Sequence, residues 1–208
     1  DDAGHQDVVT TAADGSIAVL RGDGTGALAA PSSFASGASS LRALTVADFD
    51  GDGFPEVVVV DTFTKVIFFA GNGDGTLAAP VTLAVTSRNP VALAAGDVDD
   101  DGALDLVVGS SSNVDVLQGH GDNSFTDVSA VPSGFPNDMT AADVDGDGHV
   151  DAVLAVDPQS VVVMFGRGAT SFGASQKFTA AGSLAHVRVG DVDGDGALDV
   201  VAATKAGL

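Results

Sequence analysis

The chain has 208 residues, 45% of them apolar and only 5% aromatic, with a formal charge of −21. That length suits one sizeable domain or several small repeated units sharing a continuous core. Only eight Lys and Arg are present, which argues against nucleic acid or an anionic membrane surface as partner, because phosphates select basic side chains.

In chain order, the opening "DDAGHQ" has neither the basic start nor the apolar stretch of a secretion signal. A strand is predicted at "SIAVL" (16–20), followed by the glycine-rich turn "RGDGTG" (21–26). The acid cluster "DFDGDGFPE" (48–56) then leads into the strands "VVVV" (57–60) and "KVIFF" (65–69), the turn "AGNGDG" (70–75) and the more polar "LAAPVTLAV" (77–85). The order repeats. "PVALAAGD" (90–97) enters "DVDDDGALD" (97–105), with strands at "LVV" (106–108) and "VDVL" (114–117), the turn "QGHGDN" and "SFTDVSAV" (124–131). "DMTAADV" (138–144) enters "DVDGDGHVD" (143–151), with "AVLAV" (152–156), "SVVVMF" (160–165), the turn "GRGATS" and "SFGASQKF" (171–178). Last, "AHVRVGD" (185–191) enters "DVDGDGALD" (191–199) and "VVAA" (200–203).

The final acids Glu56, Asp105, Asp151 and Asp199 lie 49, 46 and 48 residues apart, and Asp7 stands 49 before Glu56. The chain is therefore a tandem array. The short β-branched runs after each cluster read as strands buried on both faces. Four strands in each period of roughly 40 to 50 residues describe a four-stranded antiparallel blade of a β-propeller, an all-β fold. Whole blades are expected at 41–86, 90–132 and 137–180, with partial blades at 1–40 and 183–208. No run approaches the ~18 apolar residues of a membrane helix, and cysteine is absent, which excludes disulfides and thiolate metal sites.

Each cluster carries acids at positions 1, 3, 5 and 9, glycine at 6 and apolar residues at 2 and 8, which are expected to anchor the loop to the core. Glu56 is the only glutamate among 29 acidic residues, and short Asp is the residue of turns and tight cation loops. Alternate acids in a tight loop face one centre, and position 7 contributes its carbonyl oxygen. An all-oxygen set of this kind fits Ca²⁺. The expected ligands are Asp48, Asp50, Asp52, Phe54 and Glu56; Asp97, Asp99, Asp101, Ala103 and Asp105; Asp143, Asp145, Asp147, His149 and Asp151; and Asp191, Asp193, Asp195, Ala197 and Asp199. Two carboxylates ~5 Å apart repel by roughly 3 kcal/mol at an effective dielectric of ~20, so an ordered loop without a cation would be costly. An EF-hand is excluded because position 12 is Val59, Val108, Leu154 or Ala202, inside a strand. The copy ending at Asp7 lacks position 1 and has Ala3 at position 5, so no complete site is expected there.

At these loops and at turns such as "GNGDGTLAAP" (71–80), the sequence resembles the FG-GAP and VCBS repeats of integrin α-subunit propellers and of many bacterial secreted proteins. The resemblance spans essentially the whole chain. It implies that the loop joins the first and second strands of a blade, that Ca²⁺ is held at about four sites by the four acids of each loop, and that seven blades close a ring. Three whole blades and two partial ones fall short of seven, so further blades from a longer chain or from self-assembly are expected.

The implied function is an extracellular or cell-surface recognition module for a protein or glycan ligand, with structural calcium and no catalytic constellation. A polysaccharide-acting enzyme of lyase type, or its accessory domain, is the alternative. The lack of Trp and Tyr weakens sugar binding, since sugar sites commonly stack on those rings. "RGD" at Arg21–Asp23 aligns with "AGN" (70–72) and reads as a structural turn. The glycine-rich turns lack the Lys-Ser/Thr ending and the helix of a phosphate loop. The four histidines are dispersed, and those at position 7, His5 and His149, are expected to point outward.

Overall fold

The structure is a computed structural model that describes residues 4–85, 89–156 and 158–205. Ala3 of the incomplete first motif lies outside the described residues, as do 86, 157 and 206–208 of the expected blades. The described residues form seventeen strands in five antiparallel sheets, each a simple meander. The first holds β1 (Val8–Thr11), β2 (Ser16–Leu20) and β3 (Ser32–Ala35); the second holds β4 (Leu41–Ala47), β5 (Glu56–Asp61), β6 (Val66–Phe69) and β7 (Val81–Leu83). The third runs through β8 (Pro90–Gly96), β9 (Asp105–Ser110), β10 (Asn113–Gly119) and β11 (Phe125–Pro132). The fourth runs through β12 (Pro136–Ala142), β13 (Asp151–Val156), β14 (Ser160–Met164) and β15 (Ser175–Thr179), and the fifth pairs β16 (Leu184–Gly190) with β17 (Asp199–Thr204). No helix among the described residues is long and apolar enough to cross a membrane.

Valine and alanine dominate the middle strands because a β-branched side chain keeps its preferred rotamer on a pleated surface that is covered on both sides. Every residue of β5, β9 and β13 is buried. The register repeats with the sequence. Each acid cluster bridges the two strands of a first antiparallel pair, and a register shift recurs near the start of that pair, at Leu41/Ala43, Pro90/Ala92, Pro136/Asp138 and Leu184/His186. Extra local twist at such an irregularity helps each sheet turn against the next.

The core is a series of layers between successive sheets. Ile17 meets Val57, Val59, Ile67 and Phe69 in the first layer, and Val58, Val60 and Phe68 meet Leu93, Leu106 and Leu117 in the second. Val107, Val114 and Val116 meet Met139, Ala152 and Leu154 in the third, and Val153, Ala155 and Val163 meet Leu184 and Val187 in the fourth. The first strands β4, β8, β12 and β16 touch in succession, which puts them on the inner side of the array. No closed ring is seen among the described residues.

Two expectations need correction. The sequence pattern predicts β17 to be buried on both faces like its counterparts, yet Val201 is 51% exposed, because no described sheet covers its outer face. Phe49 and Val98, at loop position 2, are buried between facing sheets, but Val192 at the same position is 69% exposed for the same reason. A cleft of about 490 Å³ opens between the first and second sheets, lined by Val9, Val19, Val46, Phe54, Val57 and Leu77 among others.

Candidate metal centres

Each loop is shaped by its own carboxylates. At position 1, Asp48 accepts the N–H of Gly51 on Oδ1 (2.8 Å) and that of Gly53 on Oδ2 (3.0 Å). Asp143 does the same with Gly146 and Gly148, and Asp191 with Gly194 and Gly196. Asp97 instead takes the N–H groups of Asp101 and Gly102. Position 5 turns back on position 7: the N–H groups of Phe54, Ala103, His149 and Ala197 donate to Asp52, Asp101, Asp147 and Asp195 at 2.7–2.9 Å. The backbone at position 4 is left-handed in every loop, with glycine in three and Asp100 (φ 60°) in the fourth. An aspartate tolerates that region better than most residues.

The acid at position 9 ties the loop to the rest of its sheet. One oxygen of Glu56, Asp105, Asp151 and Asp199 accepts the N–H at position 2, from Phe49, Val98, Val144 and Val192, at 2.8–3.0 Å. The other oxygen of the first three receives the N–H of Gly71, Gly119 or Gly166, and Asp7 receives that of Gly22. Composition and turn patterns did not single out these four glycines. A Cβ on any of them would stand 2.1–2.4 Å from the carbonyl oxygen at loop position 8, of Gln6, Pro55, Leu104 or Val150. Close approach of loop to turn is thus the reason for glycine there. Their offset of 14 or 15 residues behind the position-9 acid was the signal that could have found them.

The ligand atoms converge. Carboxylate oxygens of Asp48, Asp50 and Glu56 lie within 4.8 Å of one another, as do those of Asp97, Asp99 and Asp101, of Asp143, Asp145 and Asp151, and of Asp191, Asp193 and Asp199. Positions 1, 3 and 9 meet in three loops, and positions 1, 3 and 5 in the loop 97–105. Asp52, Asp147 and Asp195, and Asp105 in its loop, stand beside these groups and brace the backbone.

Electrostatics point the same way. Burial holds Glu56 and Asp151 above the ordinary carboxylate range against two stabilising N–H donors each, with neighbouring loop acids adding to the rise. Asp105, fully buried, is pushed by burial up to about 6. Asp99 is also raised, by burial first and then by Asp101. Its Oδ1 is buried without a hydrogen-bond partner. Converging, desolvated carboxylate oxygens with lone pairs to spare fit a hard divalent cation, and Asp, Glu and backbone oxygens are the donors Ca²⁺ takes.

Contacts between sheets reach these loops. His149 does not simply point outward: its Nδ1 lies 2.6 Å from Asp100 Oδ2 of the preceding loop, and that carboxylate holds the imidazole above its ordinary range. Asn123 Nδ2 donates to Asp50 Oδ2 at 2.5 Å across sheets, while Gln118 Nε2 donates to Asp99 Oδ2 at 2.7 Å within the third sheet. Further in, Asp138 Oδ2 on β12 gathers the Arg188 guanidinium (2.7 Å), the Val187 N–H (3.1 Å) and His186 Nδ1 (3.3 Å) on β16.

Comparison with known proteins places this geometry. The chain is similar, at 20% identity and a TM-score of 0.63, to an Agrocybe aegerita lectin whose structure describes specific recognition of non-reducing terminal N-acetylglucosamine; the match covers 86% of this chain and 50% of that one. It is similar, at 15% identity and a TM-score of 0.63, to BBS1N in complex with ARL6DN, covering 95% of this chain and 57% of that one. The chain thus spans half the length of the first and 57% of the second. No curated protein matches it. The FG-GAP-like repeat model matches four overlapping stretches, residues 1–59, 48–108, 97–154 and 143–202, each taking in the acid loops and the strands between them, and the chain belongs to the FG-GAP-like repeat family.

Proposed function

We propose that this chain is a segment of a calcium-stabilised β-propeller that presents a recognition surface to a protein or glycan outside the cell, and that it is not an enzyme. The convergence of three carboxylate oxygens within 4.8 Å in each of four loops carries the calcium reading. The desolvated acids at positions 3 and 9 support it, since their charge has no basic partner of matching number in a chain with eight Lys and Arg. Membership of the repeat family and likeness to a lectin propeller support recognition, and calcium near millimolar outside cells supports the compartment. Seven blades, completed by further chain or by other copies, are the proposed finished ring. Calorimetric titration with Ca²⁺ tests the reading: about four equivalents bound support it, and no heat and no change in melting on chelation would sink it. For the ligand, a glycan array run beside an assay on acidic polysaccharides separates stable binding from turnover.

A further inference from the structure

Resting on the calcium reading above, we propose that Asn123, from the turn between β10 and β11, is a positioning residue for the cation site of loop 48–56 in the preceding sheet, so that this site is shared between two blades. Three observations meet at Asn123. Its Nδ2 donates to Asp50 Oδ2 at 2.5 Å across 73 residues of chain, while Asp50 Oδ1 accepts the N–H of Asp52 at 3.1 Å. Both oxygens of this ligand thereby have a fixed partner, and one of them lies within 4.8 Å of carboxylate oxygens of Asp48 and Glu56. The Oδ1 of Asn123 is buried with no hydrogen-bond partner. And Asn123 holds φ at 63°, in a left-handed place that Gly26 (φ 93°) and Gly75 (φ 81°) occupy in the two earlier turns.

A side chain carried where glycine would serve the backbone better indicates that the side chain is needed. An amide is well matched to this role, because it directs a carboxylate without cancelling the charge that the cation requires. The same segment also meets the loop below the polar contact, where Phe125 packs edge-on against Phe49 at 5.4 Å between ring centroids. Filling loop 48–56 therefore fastens the second sheet to the third. The next loop solves the same problem within its own blade, where Gln118 on β10 holds Asp99.

The test compares wild type with Asn123→Gly, the residue that the left-handed turn accepts without strain. Calcium is titrated calorimetrically, and terbium is titrated through phenylalanine-excited luminescence, because loop 48–56 is the only one of the four loops containing phenylalanine (Phe49, Phe54). Loss of an outer-shell partner is expected to lower affinity about 10- to 100-fold at one site, the terbium-reporting one, leaving the others unchanged. Melting in excess chelator is expected to stay level or rise. Gln118→Ala is expected to weaken a different site and leave the terbium signal intact. Unchanged affinity at every site in Asn123→Gly overturns the proposal, as does a drop in chelated melting with the calcium increment preserved, which is the mark of a merely structural contact. Wild type that takes up no calcium overturns both this assignment and the reading it rests on.

Discussion

Asp105 shows how a single residue sets conditions for the whole blade. Burial raises its folded value to about 6 from an ordinary 3.8, so without calcium the proton is favoured by folding. The contribution of this group is then fully present below its unfolded value and is lost as pH rises through about 6. A cation held by the loop, as proposed above, would favour the ionised form and invert the preference. Chelated protein is expected to melt higher near pH 5 than near pH 7, while calcium affinity falls as pH drops through that range, with both trends flattened in Asp105→Asn. Melting and calorimetric titration across the interval check both directions. Gly119, which donates to Asp105, offers a steric test at the same scale. A Cβ there would sit 2.1 Å from the Leu104 oxygen, whereas one at Gly190 meets nothing within 4 Å. Gly119→Ala is expected to cost about 1–3 kcal/mol in urea unfolding, and Gly190→Ala to stay within about 0.5 kcal/mol.

At the scale of the element, burial depends on neighbours that the strand's own sequence does not name. The valine and alanine runs of β13 and β17 are alike, and both pair antiparallel with the strand before them. β13 lies between two sheets and is buried throughout, while β17 has one described neighbour and only half-buried or exposed residues. Leu154→Ala in β13 is expected to cost about 2–5 kcal/mol, because a buried leucine leaves a cavity its packed surroundings cannot close. Val201→Ala in β17 is expected to change stability by no more than about 0.5 kcal/mol in this chain. Denaturant titrations of the two variants side by side measure the difference. Strand identity was legible because β-branched runs of four to six residues bounded by glycine-rich turns admit few other structures. Which runs are fully covered was not, since coverage comes from a sheet about 48 residues away.

For the whole molecule, the layered core and the acid loops oppose one another. Each layer adds apolar burial along the array, and each loop adds carboxylates that resist being gathered. A site filled at about 100 times its dissociation constant contributes about 2.7 kcal/mol. Four such sites rival the roughly 5–15 kcal/mol stability of an ordinary domain. Removing calcium is therefore expected to lower the melting temperature steeply and broaden the transition, and calorimetry with and without chelator measures the loss. A native mass measurement of the full protein reports whether further chain or further copies complete the ring.

The sequence by itself determined the tandem period, the all-β character and the loop chemistry, since each is written within a few residues: acids at alternate positions, glycines at the bends, valines in the strands. The tertiary structure alone decided which loops and strands of different sheets meet. The contacts of Asn123 with Asp50, of His149 with Asp100 and of Asp138 with Arg188 join residues 73, 49 and 50 apart. They arise from how one twisted sheet stacks on the next. Spacing along a chain specifies the local turn that gathers a loop's carboxylates, but only packing between sheets brings a neighbour's amide or imidazole to its rim.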